Sequence, residues 1–455
     1  MSSKDQIKQK FDAVKFDDYT KSGCNKDSYE RISLHKISKA DIGKKVKFFG
    51  YVTSCRAGKR FSFFDLTFQF KTVKCIVETT ADINFQTTLY VYGEVVENKG
   101  KDDKDFEIQV DAFEVFQGLQ APSFPLNDTS SKDTLLEHGH LYLRTKARTL
   151  FLKAQSELLR ALREFYHENE YTEATPPTLV QTQVEGGATL FSLDYYGEKA
   201  YLTQSSQLYL ETVVPVVGKA FCVMPSYRAE KSRTSRHLSE FTHVEAELAD
   251  ITFDDLLKQI EALLRSSIST FYKRMMPFIK EVYPDFEPVK LDDKPFKRIT
   301  YKDAIEFLKS KKHLKTDGTE YQQGDDIADA SEKFLMETFG ENQPVFLIRF
   351  PEDHKPFYVF KDAEGTQTCD LLFPGIGEIV GGSMRHTVHK DLVEGFEKEG
   401  IDSSPYYWYL DMARFGPSPH GGYGLGFERL LMCILKYKSV DQASLFPRKP
   451  SRCTP

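Results

Sequence analysis

Two short stretches of this 455-residue chain carry residue types that could bind and activate a phosphorylated ligand. The first, Phe221 to Glu247, reads FCVMPSYRAEKSRTSRHLSEFTHVEAE: a strand, a polar loop and a second strand. Side chains alternate across a strand, which puts Arg228 and Glu230 on one face of the first, and Phe241, His243, Glu245 and Glu247 on one face of the second. An Arg-x-Glu pair of this kind is most often a cross-strand ion pair on a solvated face. The connecting loop shifts the weight, because Arg233, Arg236 and His237 add cationic donors to Arg228, and guanidinium forks clamp polyphosphates in bidentate fashion. Phe241 offers a stacking face for a purine. The second stretch, His420 to Leu431, reads HGGYGLGFERLL. Its small residues let the backbone approach a ligand before a helix starts near Phe427, with Arg429 in the first turn. A cation there opposes the helix macrodipole and requires an anionic or aromatic partner. The run matches neither GxGxxG nor GxxxxGK[ST], so nucleotide binding here would not use a P-loop.

The elements that must hold these stretches need more than one domain at this length. Hydrophobic content of 40% and a net charge of -6 describe a globular chain without a generally cationic surface, so nucleic-acid contact would have to be local or by stacking. Seven scattered cysteines without a CxxC pair fit reduced thiols in a cytosolic protein, with no zinc site. No run of about 18 apolar residues predicts a membrane span. Residues 1–40 are Lys-rich and polar and read as a loosely ordered extension. Residues 41–118 alternate in short strands that predict an OB-type β-barrel. Residues 119–137 have the Pro/Ser/Asn/Asp composition of a linker, and 138–455 form an α+β domain with an insertion around 275–345. In that domain Phe151, Ala154, Leu158, Leu162 and Phe165 recur at helical spacing.

Together with EATPP at Glu173 to Pro177, the two stretches resemble, in order, the three motifs of class II aminoacyl-tRNA synthetases. The preceding barrel resembles that of the subgroup charging aspartate, asparagine and lysine, and the likeness runs from about residue 40 to the C-terminus. It implies a catalytic domain built on an antiparallel sheet with flanking helices, and a homodimer formed through motif one. It also implies ATP as a substrate and Mg2+ as the cofactor. By the same likeness Arg228 would bridge the substrate carboxylate and the α-phosphate, and Phe241 and Arg429 would sandwich the adenine. Arg236 and His237 would hold the outer phosphates, with Ala229, Glu230 and Leu238 beside them. Gly426, Phe427 and Glu428 would complete the ATP site, and Glu378 with Asp370 would position the metal. A solvated acidic turn is the competing explanation of Asp370.

The same likeness points at the amino acid. Gln207 and Glu185 would take the α-amino group. Aspartate enzymes carry a lysine three residues beyond that glutamine, where this chain has Leu210, and a serine where it has Gly381. Arg385 could donate to a side-chain carbonyl and Glu245 accept from an amide nitrogen, a pattern that favours asparagine. The expected partners are therefore L-asparagine, ATP and tRNA(Asn), in the cytoplasm, with neither membrane nor DNA involved. An aspartate-charging or non-discriminating enzyme is the nearest alternative, followed by a tRNA-independent ligase and a non-catalytic paralogue. In the barrel, LTFQFK at Leu66 to Lys71 replaces the subgroup's usual turn. Phe63 remains the expected stacker for the anticodon, with a buried barrel phenylalanine as the plainer reading.

Overall fold

The computed structural model describes residues 17–98, 105–127, 129–185, 189–231 and 234–454, arranged as two compact units that divide between Leu141 and Tyr142. In the first unit β1 (Lys45–Arg56), β2 (Ser62–Phe68) and β3 (Lys71–Val77) form an antiparallel meander. Next come β4 (Thr88–Glu97) and β5 (Phe106–Val115); β3 runs parallel to β5, and β4 closes the barrel by pairing antiparallel with β5 and β1. Alternation supplies the reason: Val46, Phe48, Val52, Leu66, Val73, Val91 and Ile108 all point inward and are buried together. The LTFQFK segment forms a tight turn between β2 and β3, with Gln69 and Phe70 both at positive φ, 49° and 67°.

Within the expected extension over 1–40, residues 17–40 carry structure. Residues 1–16 lie outside the described residues, whereas Tyr19–Thr20 pairs with β5 and Glu30–Arg31 runs beside β1. Leu34 and Ile37 are fully buried in the barrel core, and Tyr29 donates a hydrogen bond to Asp111 at 2.8 Å. Sparse apolar residues suffice here because Leu34 and Ile37 join a core that the barrel strands already supply. The linker also carries structure, since Ser131 caps a short helix at Lys132–Glu137.

In the second unit α1 (Lys146–Glu168) starts at the Thr145 cap and buries the predicted stripe. After α2 (Gln207–Val217) come β6 (Lys219–Tyr227) and β7 (Glu240–Ala249), which pair antiparallel. The helix α3 (Phe253–Val282), opened by a Thr252/Asp255 capping box, runs unbroken across residue 275. The inserted segment holds β8 (Lys297–Thr300), α4 (Tyr301–Ser310) and α5 (Asp329–Thr338). Then follow β9 (Val345–Ile348), β10 (Thr368–Phe373), β11 (Gly377–Met384), α6 (His389–Glu399), α7 (Tyr407–Arg414), β12 (His420–Gly426) and α8 (Phe427–Ile434). The sheet order is β8-β9-β10-β11-β12-β7-β6, with Thr172–Glu173 at the far edge, and β9 through β6 are antiparallel. One face packs on α1, α3 and α8 through Val244, Ala246, Leu248, Val380 and Leu425. The other face carries the charged residues of β7.

Candidate active site

The floor of the site is a cross-strand row: Cys222, Glu245, Gly424, Gly381 and Asp370 are successive register partners on β6, β7, β12, β11 and β10. Two acids are thus separated by two glycines. A Cβ at Gly424 would collide with the imidazole of His243, and one at Gly422 with the carboxylate of Glu247. At Gly381 it would lie 3.3 Å from Glu378 Oε1 and 3.7 Å from Asp370 Oδ1. The HGGYGLG run is therefore demanded by the large polar side chains on the strands beside it. Over this floor opens a cavity of about 1020 Å3 lined by residues of both chemical stretches.

At one end lie the groups expected to meet a nucleotide. β6 stops at Tyr227, so Arg228 and Glu230 lie beyond the strand rather than on its face. Backbone bonds from Arg228 N to Ser239 O (2.9 Å) and from Ala229 N to Thr189 O (2.7 Å) hold that turn. The guanidinium of Arg228 pairs with Glu185 at 2.6 Å and stands 5.4 Å from the Phe241 ring centre. Arg429 has the anionic partner its place in α8 requires: its Nη1 donates to Glu378 O at 2.9 Å and Oε2 at 3.2 Å. Arg236 is held from the insertion, by Glu332 at 2.7 Å and Asp329 at 2.9 Å, both on α5. His237 contacts the Thr234 hydroxyl, and burial, reinforced by Arg429, lowers its pKa. Leu238 and Gly426 border the cavity, and the buried Glu428 carboxylate accepts the backbone N–H of Thr242 at 3.0 Å. Phe427 differs from expectation, because its side chain is sealed in the core where α8 packs on the sheet. Arg233 lies outside the described residues.

Asp370 and Glu378 face each other across Gly381, and Lys355 Nζ sits 3.4 Å from Asp370 Oδ1. Burial pushes the Asp370 carboxyl up to about 7, Lys355 counteracts this, and Glu378 and Glu332 add to it. Burial also works on Glu378, but Arg429 and Arg228 outweigh it and hold its carboxyl below the ordinary value. Among the described residues no three His, Cys, Asp or Glu side chains converge as a metal cage. Two hard carboxylates without a cage fit Mg2+, which keeps several waters and shares phosphate oxygens.

The other end of the cavity is carboxylate-rich. Glu245 is buried; Ser205 donates its hydroxyl to Oε1, and Ser206 N donates to Oε2 at 2.8 Å. His243 Nδ1 is 3.1 Å from Ser226 Oγ and 3.4 Å from Glu245 Oε1, and burial lowers the His243 pKa. Arg385 lies at the end of β11 with Nη2 2.5 Å from Glu247 Oε1 and Nη1 2.6 Å from Ser383 Oγ. Gln207 opens α2 and borders the cavity. Leu210, expected at the amino-acid site, instead points into an apolar cluster with Val214, Ala220 and Cys222, because helical spacing turns it to the sheet. Sequence reasoning missed Glu332, Asp329 and Lys355, which lie outside both stretches; the Arg236 partner Glu332 is 96 residues away.

Comparison with known proteins matches residues 131–450 to the family described as tRNA synthetases class II (D, K and N). A probable cytoplasmic asparagine--tRNA ligase of Enterocytozoon bieneusi is 64% identical over 99% of this chain and 98% of its own length. The human cytoplasmic asparagine--tRNA ligase is 42% identical over 91% of this chain and 77% of its own. Among solved structures, Entamoeba histolytica asparaginyl-tRNA synthetase in complex with asparaginyl-adenylate superposes with a TM-score of 0.84 at 35% identity, covering 94% and 99% of the two chains. The corresponding Pyrococcus horikoshii complex gives 0.84 at 33%, covering 94% and 100%. With its barrel, its antiparallel sheet and its ordered motifs, the chain belongs to the class II tRNA synthetases of the aspartate, lysine and asparagine group.

Proposed function

We propose that this chain activates L-asparagine with ATP, forming asparaginyl-adenylate and pyrophosphate, and transfers the asparagine to the 3′ end of tRNA(Asn). The observation that carries the choice of amino acid is Glu245. Arg385 is already paired with Glu247, while the buried Glu245 carboxylate accepts from the Ser205 hydroxyl and the Ser206 amide. A substrate amide can donate N–H into that negative site, whereas an aspartate carboxylate would add a like charge at a cost of several kcal/mol. The 64% identical relative bears the name of an asparagine--tRNA ligase, in agreement with this choice and with a cytoplasmic location. Among the described residues no helix is long and apolar enough to cross a membrane.

The asparagine carboxylate, already ionised at neutral pH, attacks the α-phosphorus in line, and the bond to the pyrophosphate oxygen breaks. Arg228 exchanges Glu185 for the reacting carboxylate and phosphoryl oxygens and stabilises the charge that develops there. Phe241 and Arg429 take the two faces of the adenine, and Arg236 with His237 the leaving pyrophosphate. Asp370 and Glu378 would hold Mg2+, with Gly381 leaving room between them. When bound, that ion neutralises phosphate charge. A terminal ribose hydroxyl of the tRNA then attacks the adenylate carbonyl carbon and AMP leaves. Phe63 reads the anticodon, and pairing of two copies through Glu173 to Pro177 makes a homodimer, which sedimentation would test.

Pyrophosphate exchange measured with asparagine and with aspartate, followed by charging of a GUU-anticodon tRNA, decides the substrate. Exchange dependent on asparagine alone is expected. Equal exchange with both would give a non-discriminating enzyme, and exchange with aspartate alone would overturn the proposal.

A further inference from the structure

Behind the amino-acid end of the cavity, and joined to its lining through Gln207, lies a buried polar cluster built on Glu211. This residue is 1% exposed and sits one helical turn after Gln207 on α2. Three donors converge on it: Gln207 Nε2 reaches Oε1 at 3.0 Å, while Tyr409 OH from α7 (3.0 Å) and His420 Nε2 from β12 (2.8 Å) reach Oε2. The other ring nitrogen of His420, Nδ1, is 2.8 Å from the backbone oxygen of Ser418. A carbonyl oxygen can only accept, which puts a proton on Nδ1, and with Glu211 ionised Nε2 carries one as well. A buried imidazolium and a buried carboxylate then neutralise each other, as a pair in this environment must. The charged groups around them are Glu247 on β7 and Arg385 at the end of β11, themselves paired at 2.5 Å. Burial opposes ionisation of both partners, yet their mutual bond prevails, raising His420 and lowering Glu211.

The consequence falls on Gln207. A primary amide has two ends, a donor and an acceptor, and in isolation either could face a ligand. An ionised Glu211 accepts only N–H, so the nitrogen end must point away from the cavity and the carbonyl oxygen toward it. We propose that Glu211, kept ionised by His420, is the positioning residue that turns the oxygen of Gln207 into the cavity to receive the α-ammonium of the amino-acid substrate. The proposal rests on the assignment of Gln207 to that ammonium. It also gives the buried His420–Glu211 pair a task that packing alone does not require, because a hydrophobic pair of similar volume would fill the same space at no greater cost.

The test compares Glu211→Gln, which preserves shape but can present either end to Gln207, with wild type. Asparagine KM in pyrophosphate exchange should rise about 10-fold or more, the scale of a lost hydrogen bond to a charged group, with ATP KM and kcat little changed. Succinamate, which is asparagine without its amino group, serves as a competitive inhibitor; its inhibition constant should be the same in both proteins. A general loosening of the pocket would weaken both ligands together and would overturn the proposal. So would an unchanged asparagine KM in Glu211→Gln beside a raised one in Gln207→Ala. An unchanged KM in Gln207→Ala would instead remove the assignment of Gln207 itself, and the proposal with it.

Discussion

Glu247 and Arg385 meet across the sheet with Nη2 to Oε1 at 2.5 Å and Nε to Oε2 at 3.3 Å, both side chains almost sealed from water. Burial already pushes the Glu247 carboxyl up to about 7, and removing Arg385 takes away the counter-charge that holds it down; removing Glu247 instead leaves an unpaired guanidinium in the interior. Arg385→Ala is expected to lower unfolding free energy by about 3–5 kcal/mol and to abolish asparagine-dependent exchange. Arg385→Ala combined with Glu247→Ala should regain much of the stability in chemical denaturation and none of the exchange. Equal stability of the single and double variants would show that the pair is not coupled.

Glu428 ties pH to stability. Burial pushes its carboxyl from the usual 4.5 up to about 7, against the hydrogen bonds from Thr242. Between those values the folded protein binds a proton that the unfolded chain has released. Stability from this group is therefore complete below about 4.5 and falls as pH rises through 7, by on the order of 3 kcal/mol. Glu428→Gln, which can still accept from Thr242, should lack that fall. Its melting temperature relative to wild type should climb between pH 5 and pH 7.5; a constant difference would contradict the assignment.

Gly377 begins β11 at φ +95°, and a Cβ there would run into Glu332 Oε2 and Arg236 Nη1. Glu332 also accepts the backbone N–H of Glu378 at 3.3 Å, so one side chain of α5 braces two groups of the nucleotide end. Gly377→Ala should cost about 1–3 kcal/mol of stability from backbone strain alone. It should also raise ATP KM in exchange by more than asparagine KM, as steady-state titration of each substrate would reveal.

Phe63 stands on β2 with 42% of its surface exposed, where a barrel-core phenylalanine would be covered. Its neighbour Phe64 is the buried one, at 1%. Phe63→Ala is expected to lower kcat/KM for tRNA charging about 10-fold or more, the scale of one lost base stack. Exchange measured without tRNA should stay at the wild-type rate. A loss in both assays would argue for a structural part.

Much of this was open to the sequence alone, and for a physical reason. Period-two alternation marked the barrel strands, period 3.6 marked α1, and both patterns depend only on which residues must be dry. The arginines, the phenylalanine and the glycine run pointed to a nucleotide site because their chemistry and order are local properties of two short stretches. What depends on distant partners was invisible. Nothing in the spacing reveals that Glu332 holds Arg236, that Leu34 and Ile37 join the barrel core, or that Leu210 turns to the sheet while Glu211 reaches His420. Residue types told which groups could ionise, but which of them meets an opposite charge, a neutral donor or a carbonyl is set by register between strands far apart in the chain. The reaction class was thus a property of the sequence. The donors around Glu245, and the contacts that join His420, Glu211 and Gln207, were decided only when folding brought those groups out of water and together.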